Sequence, residues 1–304
     1  MKRVTNEYGQ AIFNLPWLVA QDEGLFAAEG IEVTFLRGRE RDPNLAPETD
    51  PHAVDPFWRH GVFEEGDAQC FQACEWGQIR RSYDSSVGNK DGRGGRVVMQ
   101  RPAIASHAVF VRPDSPVEEP MDLRNKTIAV NFHAGSHYLS LQVLEGFMAR
   151  EEIKTVHLGQ GQARYQAMLD GKVDACTLME PYITLALKQG CKLIVEGFAR
   201  GLEVTSPDMD DETLAGINRA LTAAVGRIRA DRRRYVRYLI ADLPAGLGPL
   251  EPEDFDLWRM RYIEPKPYPR EDFERTRDWM VSWNLIPADA AFETLVDGRV
   301  TVNL

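Results

Sequence analysis

Hydrophobic positions along this chain switch repeatedly between a period of two and a period of about 3.6 residues. Residues 11–30 read as a loop feeding a short helix, with Pro16 in its first turn and Gly30 stopping it. Ile31–Leu36 then alternates like a half-buried strand, so the chain opens strand–helix–strand. Asp67–Ala73 reads as a strand running into a helix start at Cys74–Arg81, and Arg96–Met99 and Ser106–Val111 are short strand candidates. The strand-like run Lys126–Val130 precedes an amphipathic helix at Leu139–Met148, and Thr155–Leu158 is the next strand. Ala163–Leu169 has helical spacing and ends at Gly171. Val173–Met179 reads as a strand, Glu180–Gly190 as a helix stopped by glycine, and Cys191–Val195 as the strand that closes the unit. This alternation predicts an α/β fold. From about residue 208 the pattern turns helical and predicts a cap over the first unit, in which Trp258, Trp279 and Trp283 pack.

Two polar stretches interrupt the pattern. Residues 38–56 are charged and carry Pro43, Pro47, Pro51 and Pro56, which predicts a long surface loop of the kind that more often serves function than not. Ser85–Gly95 is polar and glycine-rich, again a loop, and Arg112–Pro116 with Pro120 separates the two α/β stretches.

Composition narrows the function. A chain of 304 residues fits two lobes or one large α/β unit, and 43% hydrophobic with 27% charged residues is ordinary for a globular protein. No apolar run approaches the roughly 18 residues that would insert in a membrane. A net charge of −10 argues against a nucleic-acid partner. The basic run Arg227–Arg237 contains Asp231 and has helical spacing, so it reads as a solvated helix face. Met1-Lys2-Arg3 runs directly into Val4-Thr5 with no apolar leader, which favours a cytoplasmic protein, or a periplasmic one whose leader has been removed. Cys70, Cys74, Cys176 and Cys191 form neither a zinc-type pair of pairs nor a disulfide framework, so reduced thiols are expected. Neither a metal nor a cofactor is expected.

Candidate chemistry gathers at two strand-to-helix turns. In Asn131–Tyr138 the Gly135-Ser136 pair lets backbone approach a ligand and aims free N–H groups at an anion; read blandly, Ser136 is a helix cap and His133 and His137 are incidental. These histidines are four apart, but Gly135 at the turn keeps them off one helical face, which argues against a metal pair. At the other turn Cys74 ends a strand and begins a helix, a place that favours thiolate, with His133 or His137 as its base. The alternative is a buried thiol acting as a small hydrophobe. Glu75 can orient a donor-rich ligand and Trp76 offers a stacking face, or the two are a first-turn acid and a core indole. His107 reads as structural.

Four segments in order resemble solute-binding proteins of the nitrate, sulfonate and taurine transporter family and the related thiamine-pyrimidine synthase proteins. They are Asn14–Val33, Asp122–Val130 leading into Gly135-Ser136, Leu169–Tyr182 with its Glu180-Pro181-Tyr182 turn, and Gln189-Gly190-Cys191, together spanning about residues 11–198. The resemblance implies an α/β, two-lobed type II periplasmic-binding-protein fold, with lobe I from residues 1–103 and 199–304 and lobe II from 104–198. A ligand would sit between the lobes, touching Asn14, Trp17, Glu180 and Tyr182 beside Cys74, Glu75, Trp76, Gly135, Ser136 and His137. It implies binding of a small organic anion or aromatic acid, with an ABC permease as partner if the protein is exported. Two other readings stay open: a cytoplasmic hydrolase, desulfinase or decarboxylase using Cys74 with His133 or His137, and a sensor that signals lobe closure. Aromatic-sulfinate desulfinases share this fold, but their cysteine lies in a different loop, so no residue carries over. Three departures stand against the family pattern: no leader, an insertion at 38–56, and Cys70–Gln78 where transport proteins carry small residues. That last stretch is also not the cysteine cluster of the thiamine-pyrimidine synthases, so their iron chemistry is not carried over.

Overall fold

The computed structural model describes residues 1–39, 42, 46–88 and 92–297, so parts of both expected polar loops, Pro43 included, lie outside the described residues. Strand β1 (Lys2–Tyr8) leads into helix α1 (Ala11–Asp22), the short α2 (Leu25–Ala28) and β2 (Ile31–Arg37). After the proline-rich segment come α3 (Gly61–Glu64), β3 (Cys70–Cys74), α4 (Glu75–Ser86), β4 (Arg96–Gln100) and β5 (Ala103–Val111). The second α/β stretch supplies β6 (Thr127–Val130), α5 (Gly135–Leu144), β7 (Lys154–His157), α6 (Gly161–Leu169), β8 (Ala175–Leu178), α7 (Tyr182–Lys188) and β9 (Lys192–Ala199). It ends with β10 (Gly201–Thr205), α8 (Asp211–Ala230), α9 (Arg232–Ala241), β11 (Arg261–Tyr262), α10 (Arg270–Ser282) and α11 (Phe292–Leu295).

Two mixed sheets result. The first has the order β2-β1-β3-β10-β4, with β1 parallel to β2 and β3 and with β10 antiparallel to β3 and β4. The second has the order β11-β5-β8-β6-β7, with β9 also paired to β5. The chain passes between the sheets at Arg101-Pro102, from β4 to β5, and returns at Arg200, from β9 to β10. A backbone bond from Arg101 N–H to the Gly201 carbonyl, 2.8 Å, ties the two passages side by side. This is the two-lobed α/β fold the resemblance implied.

Pro16 departs from expectation in an instructive way. The helix begins at Ala11, so Pro16 lies inside α1 rather than in its first turn. The Ile12 carbonyl that a fourth-following N–H would normally take instead accepts the Tyr262 hydroxyl, 3.0 Å away. The C-terminal segment is helical as expected, but it reaches both sheets. Helix α8 packs on α1 and α10 on α4, β11 extends the second sheet, and the indoles of Trp279 and Trp283 both donate to Glu145 at the end of α5, at 2.6 and 2.8 Å. Trp258 is 48% exposed, its ring edge-on to Phe198 and beneath the Arg261 guanidinium. Among the described residues no helix is long and apolar enough to cross a membrane.

The proline-rich segment acts as a strap. It leaves the first sheet after β2, and Glu48 exchanges backbone bonds with His157 at the end of β7, N–H to O distances of 3.4 and 2.7 Å. His133 then holds the Pro51 carbonyl through Nε2 at 2.7 Å, before the segment returns to the first sheet at β3.

Candidate functional site

The cleft lies where parallel strands end and helices begin, as the rule for ligand sites in α/β sheets requires. Among the described residues four helices open onto it: α1 at Gly9-Gln10, α4 at Cys74, α5 at Ala134-Gly135-Ser136 and α6 at Gln160. The starts of α5 and α6 carry no side-chain cap, so their positive ends and first amides are left for whatever occupies the space, whereas at α1 the Ala11 N–H is taken by the Asp242 carboxylate. Cys74 caps α4, its Sγ accepting from Gly77 N–H at 3.4 Å.

The charged lining has one sign. Arg59, Arg81, Arg101 and Arg164 border the cleft, and among the described residues no carboxylate does, although the chain as a whole carries −10. Arg81 is neutralised from behind by Glu64. Arg101 and Arg164 have no carboxylate within ion-pair distance among the described residues, and they are 3% and 1% exposed. Arg164 donates through Nε to the Thr177 carbonyl at 2.9 Å and through Nη1 to the Gly159 carbonyl, which leaves Nη2 buried without a partner. Arg101 donates through Nε to the Ala103 carbonyl at 3.1 Å and lies over the Phe13 ring. Burial lowers both guanidinium pKa values to about 10, so both remain cationic at neutral pH. Arg101 has Glu203 behind it, but Arg164 is a buried cation without a carboxylate beside it among the described residues, costly by several kcal/mol, roughly, unless a ligand supplies one.

Apart from the arginines, the polar groups that line the cleft add no charge of their own. His107, stacked against Phe13, is driven down to about 3 by burial and by the Arg101 and Arg164 charges. Asn14 and Asn131 each leave a buried amide oxygen unpartnered; Asn14 is held in that sense by its Nδ2 bond to the Gln10 carbonyl, 3.0 Å, whereas the Asn131 amide turned end for end presents two donors instead. Behind Arg101 lies Glu203, whose Oε2 accepts from Trp17 Nε1 at 3.2 Å and Gln72 Nε2 at 2.8 Å. Burial raises Glu203 to about 7.

Of the residues singled out in the sequence, Asn14, Cys74, His133, Gly135 and Ser136 border the cleft. The others sit elsewhere. Trp17 turns toward Glu203, Glu75 accepts the Tyr268 and Thr276 hydroxyls at 2.6 Å each, and Trp76 stacks on Tyr138. His137 packs between Phe132 and Tyr138 and is lowered to about 3 by burial and by His133 and His157. Glu180 accepts from the Thr184 hydroxyl at 2.8 Å, and Tyr182 borders a neighbouring chamber. Cys74 reverses the expectation of a thiolate: burial pushes its pKa up to about 11 despite the Gly77 N–H and the Arg101 charge. Among the described residues no cluster of three or more His, Cys, Asp or Glu side chains is placed to hold a metal ion.

The sequence reading missed Arg59, Arg101 and Arg164. Arginine is by default a surface residue. The available signal was position: Arg164 lies one turn into a helix that starts at a strand end, and Arg101 lies on the passage between sheets.

Neither a family model nor a curated protein matches the sequence. Solved structures do match the fold along nearly all of the chain. The alkanesulfonate-binding protein SsuA from Xanthomonas axonopodis pv. citri, bound to MOPS, superposes with a TM-score of 0.72 at 16% identity, covering 97% of this chain and 98% of that one. The periplasmic aliphatic sulphonate binding protein SsuA from Escherichia coli gives 0.67 at 14% identity, covering 98% and 92%. The desulfurization enzyme DSZB gives 0.62 at 15% identity, covering 100% and 99%. At such identities the likeness is one of fold: this is a type II periplasmic-binding-protein architecture, carried by binding proteins and by an enzyme alike.

Proposed function

We propose that this protein binds a small organic anion between its lobes, divided as residues 1–103 with 199–304 against 104–198, and performs no chemistry on it. The observation that carries this reading is Arg164, a buried guanidinium with an unpartnered Nη2 facing a cleft that no described carboxylate lines. Arg101 and the uncapped starts of α5 and α6 support it, since each favours negative charge in the same space. The sulfonate-binding names of two structural neighbours point the same way. At about 90 Å³ the cleft is smaller than the roughly 150 Å³ cavity that holds a benzene, so as closed here it suits a short-chain acid, and an aromatic acid requires the lobes to part. A permease partner follows if the protein is exported.

A test is calorimetric titration with short alkanesulfonates and alkanecarboxylates, using the matching amines as controls. The acids bind and the amines do not, and Arg164→Gln loses about 2–4 kcal/mol, roughly 30- to 1000-fold in Kd. Acids that fail to bind the wild type would overturn the reading.

One observation favours an enzyme. A Cβ placed on Gly135 would lie 2.8 Å from His107 Nε2 and 3.7 Å from Cys74 Cβ, so thiol and imidazole approach each other across that glycine. A thiol near 11 beside an imidazole near 3 is the reverse of a thiolate–imidazolium pair, and this favours binding over catalysis. Rapid alkylation of Cys74 at neutral pH would reinstate the enzyme.

A further inference from the structure

The buried polar groups around the cleft differ in whether they can change sense. The amides of Gln10, Asn131 and Gln160 each leave one atom buried and unpartnered, and an amide of this kind can turn end for end to meet a donor or an acceptor. Asn14 is the exception. Its Nδ2 donates to the Gln10 carbonyl at 3.0 Å, one turn back on α1, and turning the amide would set two oxygens against each other. Its Oδ1 is therefore fixed as an acceptor, and it is buried with no donor bonded to it, on a residue 1% exposed that borders the cleft. A ligand with an acidic group alone brings only more acceptors to this oxygen, and an acceptor left unmet costs free energy. A hydroxyl or an amine on the ligand would answer it.

Charge separates these two. The Arg101 and Arg164 charges both act on His107, which borders the same space and stacks on Phe13, the residue before Asn14. An ammonium placed there meets two guanidiniums, and among the described residues no carboxylate borders the cleft to offset them. A hydroxyl donates without adding charge, and its own lone pairs can accept from a neighbouring amide.

Building on the anion-binding reading, we propose that the ligand is a hydroxy acid: a short molecule whose acidic group meets Arg101 and Arg164 and whose hydroxyl donates to Asn14 Oδ1. The arginines then select the charge of the ligand, and Asn14 selects its neutral substituent. The unsubstituted acid leaves Oδ1 without a donor, and the amino acid of the same length sets its ammonium against the arginines.

The experiment compares two matched series by calorimetry at neutral pH: butanoate with its 2-hydroxy, 3-hydroxy and 2-amino derivatives, and ethanesulfonate with its 2-hydroxy and 2-amino derivatives. At least one hydroxy acid binds wild type about tenfold or more tightly than its parent, and the amino derivatives bind no tighter than theirs. Asn14→Leu and Asn14→Ala remove the acceptor and bring the hydroxy-to-parent ratio toward one, whereas a purely structural asparagine would weaken both acids alike. Asn14→Asp keeps an oxygen in place and retains the preference even where overall affinity falls, and melting curves show which variants are folded. Equal affinities of parent and hydroxy acids in both series would overturn the hydroxy-acid proposal and leave anion binding standing. An amino derivative that binds tightest in its series would overturn the neutral hydroxyl. A preference undiminished in the Leu and Ala variants would overturn the role of Asn14. No binding by any of these acids would overturn the anion-binding reading itself.

Discussion

Glu203 shows how one side chain beneath the cleft ties charge to stability. Its carboxylate is buried behind Arg101 and bonded by Trp17 and Gln72, and burial raises its pKa to about 7. The unfolded value is about 4.3, so the folded state holds this proton more tightly. Stability from this group is therefore greatest below about pH 4 and declines as pH rises toward 7, by an amount on the order of a few kcal/mol. Glu203→Gln removes the titration and keeps the shape. Urea unfolding at pH 5 and pH 8 will show the Gln variant gaining on the wild type as pH rises. A difference independent of pH would mean that Glu203 is ionised throughout.

At the scale of elements, the positive cleft is made by where helices start, and one glycine lets two of them meet. Gly77 is in the first turn of α4, against the first sheet, and a Cβ there would lie 2.5 Å from the backbone oxygen of His133, on the loop that follows β6 in the second sheet. Gly77→Ala favours helix α4 in itself, by roughly 0.5–1 kcal/mol, yet its methyl keeps the lobes from closing. The expected outcome is an unchanged or higher melting temperature with at least tenfold weaker acid binding by calorimetry. Full affinity would show that α4 can shift at no cost.

Elements were also what the sequence displayed best. Alternation along Ile31–Leu36 and Lys126–Val130, and glycines after Leu169 and at Gly190, place strands and helix ends close to where they occur. Of the cleft, Gly135-Ser136, His133 and Cys74 were legible because strand-to-helix turns have a local signature, and Asn14 only through the family resemblance. His137 was misleading because it lies one residue beyond the turn that borders the cleft, which on a helix carries it about 100° around and into the packing against Phe132. Arg101 and Arg164 were illegible for a different reason. Burial of an arginine is decided by what surrounds it in space, and periodicity along the chain does not report that.

At the scale of the whole molecule, the lobes are joined by more than their two strand passages. Trp279 and Trp283 reach Glu145 from the C-terminal segment, and the strap runs out to β7 and back. The strap has a practical consequence. When the lobes separate, its bonds to His157 and His133 cannot all persist, and backbone now held on both sides becomes a substrate for proteases. Trypsin cleavage after Arg59, followed by mass spectrometry, therefore reads lobe closure without a label. A bound acid should slow that cut several-fold while sites on α9 are cleaved as before, and equal rates with and without acid would mean that the strap stays seated when the cleft opens.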